Sequence, residues 1–230
     1  MTMNFNINQL DKIEYDGSYK SEEALEEYQN SILEEFALSS QGKERIKADP
    51  EMGFWIAQLI YYGFGYIGVT LPQMDEGDIH EIITDLFPRK ISLNSPEDAD
   101  DAIPELLAFW QFLRDKYKLL NADTIIDFLT RVEPKFNAIM NDSSRFGLAK
   151  SFMTMGQKAG FDMTDQNQMN EFMLAYNESI IEGSNEIPLT KKGLDFIPEY
   201  SQSKKIKAKK KQKRKATKAS RRKNKNKRKR

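Results

Sequence analysis

The sequence predicts an all-α protein: a compact multi-helix bundle of about seven helices with a disordered, basic C-terminal tail. Three observations predict it. Apolar residues recur at three- and four-residue spacing through much of the region 21–179. No stretch alternates apolar and polar residues between hairpin turns, and Lys12 to Tyr19 is the only weak strand candidate. Residues 204–230 hold 18 of the 35 Lys and Arg and no acid.

These features divide the chain into an N-terminal arm (1–20), an acidic helical domain (21–179), an irregular arm (180–203) and the Lys/Arg-rich tail (204–230). In the helical domain, Leu25, Tyr28, Ile32, Leu33 and Phe36 form one face, and Ser21 is the expected N-cap. Gly42 and Pro50 punctuate the next segment, and a second helix is expected from Met52 to Tyr62, ending at Gly63. Asp75 or Asp78 is expected to cap a third helix with Ile79, Ile82, Ile83, Leu86 and Phe87 inward, stopped by Pro88.

Ser95-Pro96-Glu97-Asp98 is a helix-start signature, with Pro104 starting or bending the helix that carries Leu106, Leu107, Trp110, Leu113 and Tyr117. Asn121 is the expected cap of the next, through Ile125, Ile126, Leu129 and Val132, with Pro134 kinking or dividing it. Another helix is expected over Phe146 to Gly160. Thr164 then caps a last one through Met169, Phe172, Met173 and Tyr176.

The formal net charge of zero conceals a segregation. Residues 1–203 hold 17 bases against 35 acids, a net −18, and residues 204–230 carry +18. The chain has no cysteine, which excludes disulfides, thiol nucleophiles and Cys-based zinc sites. The N-terminal residues show no secretory signal, and a cytoplasmic location is expected, or a nuclear one in a eukaryotic source. Phe54 to Leu71 is 18 residues without a charge. Its glycines, aromatics, Gln58 and acidic flanks point to a buried helix entering a turn, so no membrane span is expected.

The tail has one bulky apolar residue, Ile206, and no aromatic beyond Tyr200. It therefore offers neither a stacking platform nor an apolar face for a membrane. What it offers is flexible positive charge. The expected nucleic-acid-binding residues are Lys204, Lys205, Lys207, Lys209, Lys210, Lys211, Lys213, Arg214, Lys215, Lys218, Arg221, Arg222, Lys223, Lys225, Lys227, Arg228, Lys229 and Arg230. The expected partner is nucleic acid, RNA or the ribosome foremost, bound through phosphates without sequence preference. The alternative for this segment is a solubility tail, or one that folds back on the acidic body.

No catalytic motif survives inspection. Gly63-Phe64-Gly65-Tyr66-Ile67-Gly68 matches the dinucleotide fingerprint, but Pro72 comes too soon for the helix that holds a pyrophosphate. Gln41-Gly42-Lys43-Glu44 lacks both ends of a phosphate loop. His80 is the only histidine, and His80-Glu81-Ile82-Ile83-Thr84 lacks the second ligand of a zinc protease. With Gly77 in place of a glutamate there is no Glu-x-x-His either. The acid clusters Asp75-Glu76-Gly77-Asp78 and Glu97-Asp98-Ala99-Asp100-Asp101 read as helix N-terminal acids rather than a cation site. The methionine pairs Met153 with Met155 and Met169 with Met173 read as core. No cofactor and no metal are expected.

One ordered set of segments carries a resemblance. It comprises Glu35-Phe36 with Ser39 and Ser40, Leu86-Phe87-Pro88-Arg89-Lys90, Ser95-Pro96-Glu97-Asp98, Ile103-Pro104-Glu105-Leu106-Leu107-Ala108-Phe109-Trp110 and Phe146-Gly147-Leu148-Ala149-Lys150. It resembles an uncharacterised bacterial helical region, found alone or joined to a domain named after an open reading frame on a root-inducing plasmid. The basic ending is similar to tails on uncharacterised cyanobacterial proteins. The resemblance spans roughly residues 30–155 and implies a helical domain with no activity attached.

The expectation from the sequence is thus a non-enzymatic helical adaptor tethered to a polyanion. Its alternatives are a protein–protein module, whose exposed apolar patch would be sought at 54–71, and a carboxylate enzyme using Mg²⁺.

Overall fold

A computed structural model of the chain describes residues 5–93 and 95–182. Among the described residues there are nine α-helical segments and no strand, so the weak strand candidate at 12–19 is not one. The chain divides into two compact units at the 147/148 boundary.

The first unit opens with a 3₁₀ turn, Gln9–Lys12, and then α1, Tyr19–Leu38. Leu25, Tyr28, Ile32 and Phe36 are its buried stripe. The cap is Ser18 rather than Ser21. Gly17, at φ 76°, delivers the chain so that Ser18 is extended and accepts from the Ser21 N–H. Ser21 is buried in the first turn, and its hydroxyl donates to the Ser18 carbonyl at 2.9 Å.

α2, Ser40–Ala48, lies in a polar sequence with no apolar stripe to announce it. Ser39 makes it. Its Oγ accepts from the Gly42 N–H at 3.0 Å and donates to the Phe36 carbonyl at 2.6 Å, which turns the chain sharply out of α1. A Cβ on Gly42 would lie 1.9 Å from the Phe36 carbonyl oxygen, so the glycine serves this close crossing and not a phosphate.

α3, Phe54–Tyr61, continues into a π-helical segment, Tyr62–Ile67, and the run stops at left-handed Gly68 rather than at Gly63. α4 (Glu76–Glu81), a second π-helical segment (Ile82–Leu86) and α5 (Phe87–Lys90) form another unbroken run. Pro88 therefore does not stop the helix as expected. It lies at the second position of α5, inside the continuous run, without dividing it.

The Pro96–Ala99 turn precedes α6, Ala102–Tyr117, and α7 comes next at Ala122–Asn141. α6 and α7 are the most extensively packed helix pair, with α2 and α3 also against α6 and α4 and α5 against α7. Asn121 stands at the N-cap of α7 but does not cap it; its amide donates to the Leu71 and Met74 carbonyls instead. Pro134 lies inside α7 on an exposed position without dividing it. The core of this unit combines aliphatic side chains with a set of packed aromatic rings. Phe36 meets Phe109 edge-on with centroids 5.5 Å apart, and Trp55 packs on Phe87 and Phe136.

The second unit holds α8, Leu148–Lys158, and α9, Gln166–Glu182. Phe152, Phe161 and Tyr176 surround Phe172. Asp165, not Thr164, caps α9: its carboxylate accepts from the Asn167 and Gln168 N–H groups, while Thr164 donates to Asp162. Of the two methionine pairs read as core, Met173 is exposed, and the buried methionine here is Met163, packed on Gly156. No helix among the described residues is long and apolar enough to cross a membrane.

Candidate functional site

Every predicted polyanion-binding residue, Lys204 through Arg230, lies outside the described residues. The structure does place the other motifs. In Gly63–Gly68 the Gly63 carbonyl accepts from the Gly68 and Val69 N–H groups at 2.8 and 2.9 Å, closing the π-helical segment on itself. The segment comes after a helix rather than a strand, and the context of a dinucleotide site is missing.

The two acid clusters hold structure. Asp75 and Asp78 form a reciprocal capping box at the start of α4. The Asp98 carboxylate accepts from the Ser95 N–H and hydroxyl, Asp100 accepts from Asn137, and Asp101 pairs with Arg45 at 2.5 Å. Among the described residues no three His, Asp or Glu gather as a metal site. In the uncharged stretch 54–71, Phe54 and Tyr66 are the large side chains left exposed.

One buried carboxylate escapes sequence reasoning. Glu105, on α6, is 1% exposed, and its Oε1 accepts from the Ile56 N–H at 2.9 Å. Gly53 has no side chain to cap α3, and a carboxylate from another helix does it instead. Burial pushes the Glu105 carboxyl above its ordinary range, opposed by bonds from the α3 backbone.

A groove of about 480 Å³ lies on the first unit. α4 and the π-helical segment after it supply Glu76, His80 and Thr84. α7 supplies Phe128, Arg131, Val132, Lys135 and Ile139, and Arg145 closes it from the 3₁₀ turn Ser143–Arg145. His80 is exposed, with its ring 5.7 Å from that of Phe128. Thr84 Oγ1 donates to the His80 carbonyl at 2.9 Å.

Proline chemistry helps build the rim. Pro88 has no N–H to return to a carbonyl four residues back, and the Thr84 carbonyl accepts from Arg145 Nη1 at 2.9 Å. Arg145 is also paired with Asp142 at 3.4 Å, and Arg131 with Glu76 at 2.5 Å. Lys135 has no ion pair among the described residues. The sequence carried half of this signal: His80 with Thr84, and Arg131 with Lys135, are both four apart and so share helix faces. What it lacked was the crossing that brings those faces together.

No family model, no curated protein and no solved structure matches the chain.

Proposed function

We propose that this chain is a non-enzymatic helical binding protein whose basic C-terminal segment, residues 204–230, engages a polyanion, RNA or DNA, without sequence specificity. The observation that carries the reading is the charge segregation: 18 cations and no acid in the tail against a net −18 in residues 1–203. Each phosphate neutralised by a Lys or Arg releases condensed counterions to bulk solvent, and that entropy favours binding whatever the base sequence. A segment without an aromatic beyond Tyr200 has little means to read bases, so positioning on phosphates is its available mode.

The acidic remainder of the chain repels a polyanion and so confines contact to the tail. RNA or the ribosome is the favoured partner in the cytoplasm. The test compares the full chain with a chain ending at residue 203 for retention on immobilised RNA at low salt. The reading expects loss of retention in the truncated chain; undiminished retention contradicts it.

A further inference from the structure

The α4–α7 groove offers chemistry that the tail does not. Its lining holds three permanent cations, Arg131, Lys135 and Arg145, against one carboxylate, Glu76, on a region that is otherwise strongly acidic. Two of the cations already have partners. Arg131 rests on Glu76, and Arg145 rests on Asp142 and the Thr84 carbonyl. Each guanidinium has five N–H donors, more than these contacts use. Lys135 carries no ion pair among the described residues and adds a third donor on a flexible stem.

The apolar part of the groove lining is Phe128, Val132 and Ile139. The exposed His80 ring, 5.7 Å from Phe128, adds a flat face. A bare inorganic anion would leave that part unused, and a long polyanion would meet the surrounding acids. The volume of about 480 Å³ lies within the range of small-molecule sites.

We infer that this groove binds a small phosphomonoester joined to a planar ring, of the nucleoside monophosphate class. The phosphoryl oxygens accept from Lys135, Arg131 and Arg145, and the ring lies on His80 and the apolar lining. The site is independent of the tail, and either can fail alone.

His80, as the only histidine, is a single reporter in the wall of the groove. The test is NMR of its ring carbon-bound protons in the full chain at fixed pH, titrated separately with adenosine 5′-monophosphate, adenosine and inorganic phosphate. The monophosphate is expected to move the His80 signals saturably, with adenosine and phosphate each binding at least about tenfold more weakly, the worth of one charge-assisted contact. Lys135→Ala is expected to weaken monophosphate binding by about tenfold while leaving the unliganded His80 signals in place. Three results would each overturn the inference: no saturable shift at millimolar monophosphate, inorganic phosphate binding as well as the monophosphate, or Lys135→Ala binding as tightly as the parent. Retention on RNA, measured separately, reports the tail alone.

Discussion

Glu105 shows how far a single residue can be from legible. Its carboxylate caps a helix 49 positions earlier in the chain. Nothing in Ile103-Pro104-Glu105-Leu106 distinguishes it from the exposed acids that ordinarily open a helix. Its burial has a consequence for stability. The folded chain holds the Glu105 proton more tightly than the unfolded chain does, because burial penalises the ion. Its contribution is therefore full below the unfolded value near 4.5 and is lost as pH rises through the higher folded value. Glu105→Gln keeps an oxygen for the Ile56 N–H and removes the titration. Urea denaturation from acidic to neutral pH is expected to show the Gln variant gaining on the parent as pH rises. A pH-independent difference between them would contradict the assignment. Gly42 teaches the complementary lesson: a glycine beside a lysine suggests phosphate chemistry, but the crossing of α1 and α2 accounts for it sterically.

At the scale of elements, prolines and caps behave less locally than sequence reading assumes. Pro134 sits inside the 20-residue α7 and leaves it continuous, because Phe128, Val132, Phe136 and Met140 bury one stripe across it. Packing outweighs the lost bond. A proline in a helix interior costs about 3 kcal/mol relative to alanine, a net figure that already includes the restriction of the unfolded chain. Pro134→Ala is thus expected to stabilise the protein by up to about 3 kcal/mol in chemical denaturation. A destabilised variant would mean that the proline shapes α7 in a way the core requires.

The helical faces of α1, α6 and α7 were legible from spacing alone, since long amphipathic runs carry strong periodicity. α2 was not, because its placement rests on Ser39 and a backbone contact rather than on an apolar stripe. The π-helical segments were not either; each adds an extra residue to a turn, which the apolar pattern of Ile79, Ile82, Ile83 and Leu86 absorbs without visible trace. That same segment supplies Thr84 to the groove, whose lining was legible only as the pairs His80 with Thr84 and Arg131 with Lys135.

For the whole molecule, the fold class came from periodicity, and the functional reading comes from charge. The chain sums to zero but carries −18 and +18 in separate stretches of sequence, and the proposed polyanion binding rests on that segregation. The groove is a second, smaller exception to the acidity of the body, and its chemistry does not depend on the tail. The most direct test of the central claim is the salt dependence of RNA binding by the full chain. Counterion release predicts a linear fall of log affinity with log salt, with a slope of about −0.7 for each single-strand phosphate engaged. A steep slope, reporting several phosphates and the same for unrelated RNA sequences, is the expected result. Binding that is flat with salt, or confined to one sequence, would contradict the account.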